Sequence, residues 1–146
     1  MNKKTIKKSI VINTTPEAVW DILFKPENYP KWASAFSPDG SGVMEGNWTL
    51  GSEVRFIDGS NSGLLGIVTK NIPQEYMEIT YKAFIKDGKP DYESEEVQGM
   101  KDETESYKLS KVEAGTQLDV ELTMPEQWYE MMSEMWDKGI VRIKEL

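Results

Sequence analysis

Polar and apolar residues alternate most cleanly over 75–86, where Met77, Ile79, Tyr81, Ala83 and Ile85 fall on one face of a predicted strand. The same two-residue period runs through Leu118, Val120, Leu122 and Met124, in a strand predicted over 116–124. Ile6, Ile10 and Ile12 share a face of a first strand over 5–13. Further strands are predicted at 53–57 and 64–72, joined by the hairpin loop Asp58 to Gly63, and at 103–111, which meets the 116–124 strand through Glu113-Ala114-Gly115. Asp87-Gly88-Lys89-Pro90 is a turn, and 91–105 reads as an exposed crossing with an edge strand near 92–97.

The pattern changes to a helical period in three places. Thr14-Thr15-Pro16-Glu17 is a helix start in which Thr14 and Glu17 have capping-box spacing. The helix carries Val19, Trp20, Ile22, Leu23 and Phe24 and stops at Lys25-Pro26. A second short helix from Glu27 to Phe36 turns Tyr29, Trp32 and Phe36 to one side. The start signal recurs as Thr123-Met124-Pro125-Glu126 and opens a last helix over 126–145. Strand, two helices, about six strands and a long helix make an α+β fold, an antiparallel sheet with its helices on one face. No linker, repeat or low-complexity tract divides the chain, so one domain is expected over 1–146.

On a wheel of about 100° per residue, Trp128, Met131, Met132, Met135, Trp136, Gly139, Ile140 and Ile143 fill half of the last helix. Such a wide apolar arc suits a helix gripped by a curved sheet. Gly139 lies near its centre, where either a bulky strand side chain or a ligand would use the gap. Met131, Met132 and Met135 form an adaptable thioether surface between two tryptophans, which by itself reads first as core filling and otherwise suits a variable apolar ligand.

Composition narrows the chemistry. The net charge of −8 argues against nucleic acid and against anionic membranes. The chain has no cysteine, so thiolate chemistry and disulfides are absent. It has no histidine either, which removes the commonest acid/base near neutrality and the commonest zinc ligand. The lysines near the N-terminus precede no apolar stretch longer than Ile10-Val11-Ile12, so a cytoplasmic protein without membrane insertion is expected.

The run Ser9 to Leu23, with Pro16-Glu17-Ala18-Val19-Trp20, resembles the opening of the START-related, birch-pollen-allergen-like superfamily (SRPBCC). Pro26 to Trp32, Gly115 to Val120, and the C-terminal helix with Trp136 and Ile140 to Leu146 fit the same pattern. Within the superfamily the chain looks most similar to bacterial proteins that resemble the C-terminal domain of activators of the ninety-kilodalton heat-shock ATPase. The resemblance implies a helix-grip fold with a cavity between sheet and last helix, binding of lipids, hormones, polyketides or other apolar molecules, and in some members cyclase or hydrolase activity. A chaperone partner is a further expectation from the resemblance alone.

The candidate pocket then draws on Trp32, Phe36, Phe56, Met77, Ile79, Tyr81, Tyr107, Leu118 and Val120 from the short helix and the sheet. The last helix adds Trp128, Met131, Met132, Met135, Trp136, Gly139 and Arg142. Glu105 shares a strand face with Tyr107 and Leu109. Either it points into the apolar interior, where its pKa would rise and it would serve as acid or base, or it reaches solvent from the strand end, as most glutamates do. Arg142 would pair with Glu105, hold a ligand carboxylate, or extend its head into water. The acidic run Asp91, Glu93, Glu95, Glu96, Asp102, Glu103 lacks calcium-loop spacing and reads as a solvated charge run. Gly59 to Gly63 lacks the lysine and helix start of a phosphate loop. No metal or cofactor is called for. With no nucleophile–base set, the favoured expectation is a binding protein for a small apolar or amphipathic ligand, with a Glu105-dependent enzyme as the alternative.

Overall fold

The computed structural model describes residues 3–25, 27–33, 43–57, 63–98 and 101–146. The alternating segments become an antiparallel sheet: β1 (Lys3–Ile12), β2 (Val43–Gly46), β3 (Glu53–Ile57), β4 (Gly63–Ile72), β5 (Tyr76–Lys86), β6 (Lys89–Asp91), β7 (Thr104–Val112) and β8 (Gly115–Pro125). Their order is β1-β8-β7-β5-β4-β3-β2, and the short β6 folds back on the end of β5. The helices are α1 (Pro16–Phe24), α2 (Tyr29–Ala33), a single turn α3 (Glu95–Gln98) and α4 (Tyr129–Glu145). This is the α+β, helix-grip type of architecture expected from the hydrophobic pattern. Phe36 and the loop 58–62 lie outside the described residues.

Register decides what faces the helices. Val68, Ile79, Glu105, Leu122 and Ile6 form one inward row across five strands, and Asn71, Met77, Tyr107, Val120 and Lys8 form the next. Two irregularities between β4 and β5, at Leu65/Gly66 and Val68/Lys70, interrupt the ladder and sharpen its bend. At the first of these a Cβ on Gly66 would stand 2.6 Å from Ile79 Cγ2. Only glycine therefore lets β4 approach β5 so closely there.

Three local expectations are corrected. The cap of α1 is Thr15, whose hydroxyl accepts from the Ala18 N–H at 3.2 Å. Thr14 instead turns its own N–H back to Ile12 O, and its carbonyl accepts from the Thr116 hydroxyl at 2.8 Å. The second start signal does not cap a helix, because Thr123 is still in β8 and its hydroxyl meets that of Thr5 at 2.9 Å. A 3-10 turn (Glu126–Trp128) follows before α4 begins. In the acidic crossing, the region expected to hold an edge strand forms α3, with Ser94 Oγ accepting from the Val97 N–H and Val97 fully buried beneath.

The core lies between the sheet and α1, α2 and α4. From α4 it takes Trp136, Gly139, Ile140 and Ile143, the helical stripe i, i+3, i+4, i+7. Met132 and Met135 are half-buried at its side, whereas Met131 is 52% exposed. The middle of α4 is tied to β1 by Lys8–Asp137 at 2.8 Å, and its start by Lys4, whose ammonium lies 4.8 Å from the Tyr129 ring centroid. No described helix is long and apolar enough to cross a membrane.

These faces are separable by mutation. Ile143→Ala should cost about 2–4 kcal/mol in urea unfolding, the usual range for emptying a fully buried aliphatic site. Met131→Ala should stay within about 0.5 kcal/mol of wild type. Comparable losses from the two substitutions would contradict this orientation of α4.

Candidate functional site

The parity of β7 turns Glu105 and Tyr107 to the same inner face, and pairing with β5 sets Ile79 beside Glu105 and Met77 beside Tyr107. Tyr81, two residues beyond Ile79, lies on that face as well. The Glu105 carboxylate is 8% exposed and accepts two hydrogen bonds, one to each oxygen. Tyr81 Oη donates to Oε1 at 2.5 Å and Tyr107 Oη donates to Oε2 at 2.5 Å. Charge-assisted O–H···O⁻ bonds of this length are the strong kind.

Burial pushes the Glu105 carboxyl above its ordinary value of 4.5, and the hydrogen bonds from Tyr107 and Tyr81 oppose that rise without cancelling it. Both phenols are raised well above 10.0, first by burial and then by the nearby Glu105 charge. Tyr29 is raised for the same two reasons. The tyrosines therefore remain protonated donors, and the carboxylate is the acceptor.

Aromatic side chains from three helices close over this cluster. Tyr107 meets Phe24 of α1 at 5.4 Å between ring centroids, Trp136 of α4 at 5.9 Å and Trp32 of α2 at 6.5 Å. Trp32 and Trp136 lie 5.8 Å apart, and the Trp32 indole donates to Ile22 O at 3.2 Å. A second aromatic group continues toward β3: Trp48 meets Phe24 edge-on at 4.7 Å and lies 5.9 Å from both Tyr29 and Phe56. Within it, the buried Trp48 Nε1 and Asn71 Oδ1 find no hydrogen-bond partner among the described residues. Each such buried polar atom costs about 1–3 kcal/mol when left unmatched.

Of the residues read from the sequence, the structure links Trp32, Tyr81, Glu105, Tyr107 and Trp136 in one connected cluster, and buries Met77, Ile79, Leu118, Val120 and Gly139 in the core. Phe56, Met132 and Met135 are half-buried, and Trp128 packs edge-on against Phe84 at 5.3 Å. Met131 and Arg142 are exposed, which corrects their expected place at the interior. The wheel places both beside the apolar arc, but β1 and α2 cover only part of that arc. Of the three readings open for Arg142, its exposure fits the one that extends its head toward water, and the bonds to Glu105 come from the two tyrosines. Tyr29 and Trp48 were read as aromatic contributors to the interior, whereas Phe24 and Asn71 were not among the candidates. Phe24 carried an apolar signal, and Asn71 carried none.

The acidic crossing is spent locally. Asp91 Oδ1 accepts from the N–H groups of Glu93 and Ser94, each at 3.1 Å, and Asp102 pairs with Lys82 at 2.7 Å. No metal-type cluster of three carboxylates occurs among the described residues. A groove of about 530 Å³ lined by Tyr76, Lys108 and Asp119 lies on the opposite face of the sheet from Glu105.

The family described as Activator of Hsp90 ATPase homolog 1-like protein matches residues 13–146, in agreement with the resemblance read from the sequence. Similar solved structures include protein MLL2253 from Mesorhizobium loti, with a TM-score of 0.74, 14% identity, and coverage of 97% of this chain and 95% of that one. Protein Ms6760 from Mycobacterium smegmatis has a TM-score of 0.75 at 13% identity, covering 99% and 94%. The Aha1 dimer from Colwellia psychrerythraea has a TM-score of 0.68 at 18% identity, covering 97% and 94%. At such identities the likeness is one of fold. Comparison with curated proteins gives no match.

Glu105 gives a pH signature with a defined sign. A carboxyl raised in the folded state favours folding while protonated, and that contribution is lost as pH climbs from 4.5 to the raised value. Glu105→Gln removes the loss, so its stability relative to wild type should increase across that window and then level off, as read by urea unfolding between pH 4 and 8. Tyr81→Phe and Tyr107→Phe each remove a donor to the charge and should cost about 1.5–3 kcal/mol near neutrality. A pH-independent difference for Glu105→Gln would exclude a buried, raised carboxyl.

Proposed function

The chain belongs to the Activator of Hsp90 ATPase homolog 1-like protein family, and on that premise we propose that it binds a small apolar or amphipathic ligand between the sheet and α4. The observation that carries this reading is the Glu105–Tyr81–Tyr107 cluster. An ionisable group in the middle of an apolar row is costly, and an aliphatic residue there would stabilise the fold more. Such a group is instead typical of a site that recognises something. The half-buried Met132 and Met135 supply an adaptable border, and the aromatic layer supplies a surface for an apolar body. The polar chemistry that stands out among the described residues lies inside, which favours a ligand over activation of a chaperone ATPase. A cytoplasmic location accords with a chain that has no cysteine.

A second reading is supported by the raised Glu105 carboxyl. A protonatable carboxyl flanked by two phenols is the equipment of a general acid, as a cyclase or hydrolase acting on an apolar substrate would need.

Native mass spectrometry and thermal-shift screening with fatty acids, sterols and aromatic polyketides should reveal at least one ligand that raises Tm by several degrees. An absence of bound species and of stabilisation across the panel would exclude the binding reading. If the second reading holds, Glu105→Gln retains ligand stabilisation and loses turnover. Unchanged turnover would remove Glu105 from the chemistry.

A further inference from the structure

The Glu105 cluster satisfies both carboxylate oxygens, but the neighbouring aromatic group leaves one donor and one acceptor open. Trp48 Nε1 and Asn71 Oδ1 are both buried and without a partner among the described residues. They belong to one neighbourhood, because the Asn71 Nδ2 group donates to the Trp48 carbonyl at 2.6 Å. That bond also fixes which end of the amide is which. Rotating the amide would press its oxygen against the Trp48 carbonyl oxygen, so the acceptor is the end that remains unmatched. Asn71 sits opposite Met77 in the inward row, and the Trp48 ring packs against Phe24, Tyr29 and Phe56. An unpartnered indole N–H and an unpartnered amide oxygen are therefore buried beside three further aromatic rings.

Resting on the ligand-binding reading above, we infer that Trp48 and Asn71 form a polar subsite for an uncharged hydroxyl on an apolar, ring-bearing ligand. The chemistry disfavours charged groups and pure acceptors. A carboxylate would accept from the indole but be repelled by the amide oxygen. An ammonium would satisfy the amide and leave the indole N–H open. A ketone or ether accepts only. A hydroxyl accepts from Trp48 Nε1–H through oxygen and donates its own hydrogen to Asn71 Oδ1. Sites that hydrogen-bond a ligand hydroxyl discriminate strongly against analogues lacking it, because the buried partners are then left unmatched.

The test uses the full chain and three probes: 2-naphthol, its methyl ether 2-methoxynaphthalene, and naphthalene. Binding is followed by calorimetry and by the indole N–H signals in ¹H–¹⁵N spectra, with Trp48→Phe identifying the Trp48 signal. The wild type should bind 2-naphthol about tenfold or more tightly than the ether, and the Trp48 signal should move with 2-naphthol. Trp48→Phe retains an aromatic ring and should reduce the preference to about twofold or less. Equal affinities for alcohol and ether would overturn the subsite, as would an unmoved Trp48 signal at saturation. Retention of a water bridging the two groups when 2-naphthol is bound would overturn it too. If no naphthalene probe binds while another molecule of the wider panel does, the subsite alone falls. If nothing binds in either series, the ligand-binding reading falls with it. Should Trp48→Phe fail to fold, the alcohol–ether comparison in the wild type decides.

Discussion

A carboxylate withdrawn from water constrains everything near it. Glu105 faces the helices because β7 pairs with β5 in one register, and a slip of one residue would exchange it for Thr104 or Ser106 and turn Tyr107 outward. Once inside, its charge requires donors, and the phenols of Tyr81 and Tyr107 supply one to each oxygen. The Tyr81 bond connects β5 to β7 through side chains, where backbone pairing between the two strands gives way to single bonds such as Tyr81 N–H to Glu103 O, and the Tyr107 bond lies within β7. Ile79, which pairs with Glu105, is also the side chain that β4 approaches closely at Gly66.

The layer above follows from the need to exclude water from that charge. Phe24, Trp32 and Trp136 come from three different helices and converge on Tyr107. Edge-on and tilted contacts let the rings fill the space without stacking face to face. The ties from Lys8 to Asp137 and from Lys4 to Tyr129 hold α4 over β1 while leaving its Met132 and Met135 side only half covered. The interior is thus densely aromatic around Glu105 and polar but unmatched near Trp48 and Asn71, and a ligand-binding function draws on that contrast.

Much of this was legible beforehand, for reasons that differ by element. Alternation located β5 and β8 because each buries one face, and the parity of Glu105 with Tyr107 and Leu109 left only two readings for the carboxylate. Neither reading could name Tyr81, which is 24 residues away in sequence and reaches Glu105 only through strand pairing. The helix caps were less legible. Thr14 and Thr123 have suitable spacing, but each is already committed, Thr14 to a turn with Ile12 and Thr123 to Thr5 across the sheet. A motif of this kind describes what a segment would do alone, and a competing partner overrides it. Met131 and Arg142 failed for a related reason: a wheel assigns direction but not how far the covering surface extends.

Sequence by itself determined the fold class, the strands that face the core and the helix that lies across them, because these depend on periodicity, and periodicity is local. It also excluded histidine and cysteine chemistry outright. Only the tertiary structure decided that Glu105 is buried and hydrogen-bonded rather than solvated, that Arg142 is not its partner, and that Trp48 and Asn71 stand open inside. Burial, hydrogen-bond partnership and the absence of a partner are properties of distant segments brought together, and no spacing along the chain encodes them.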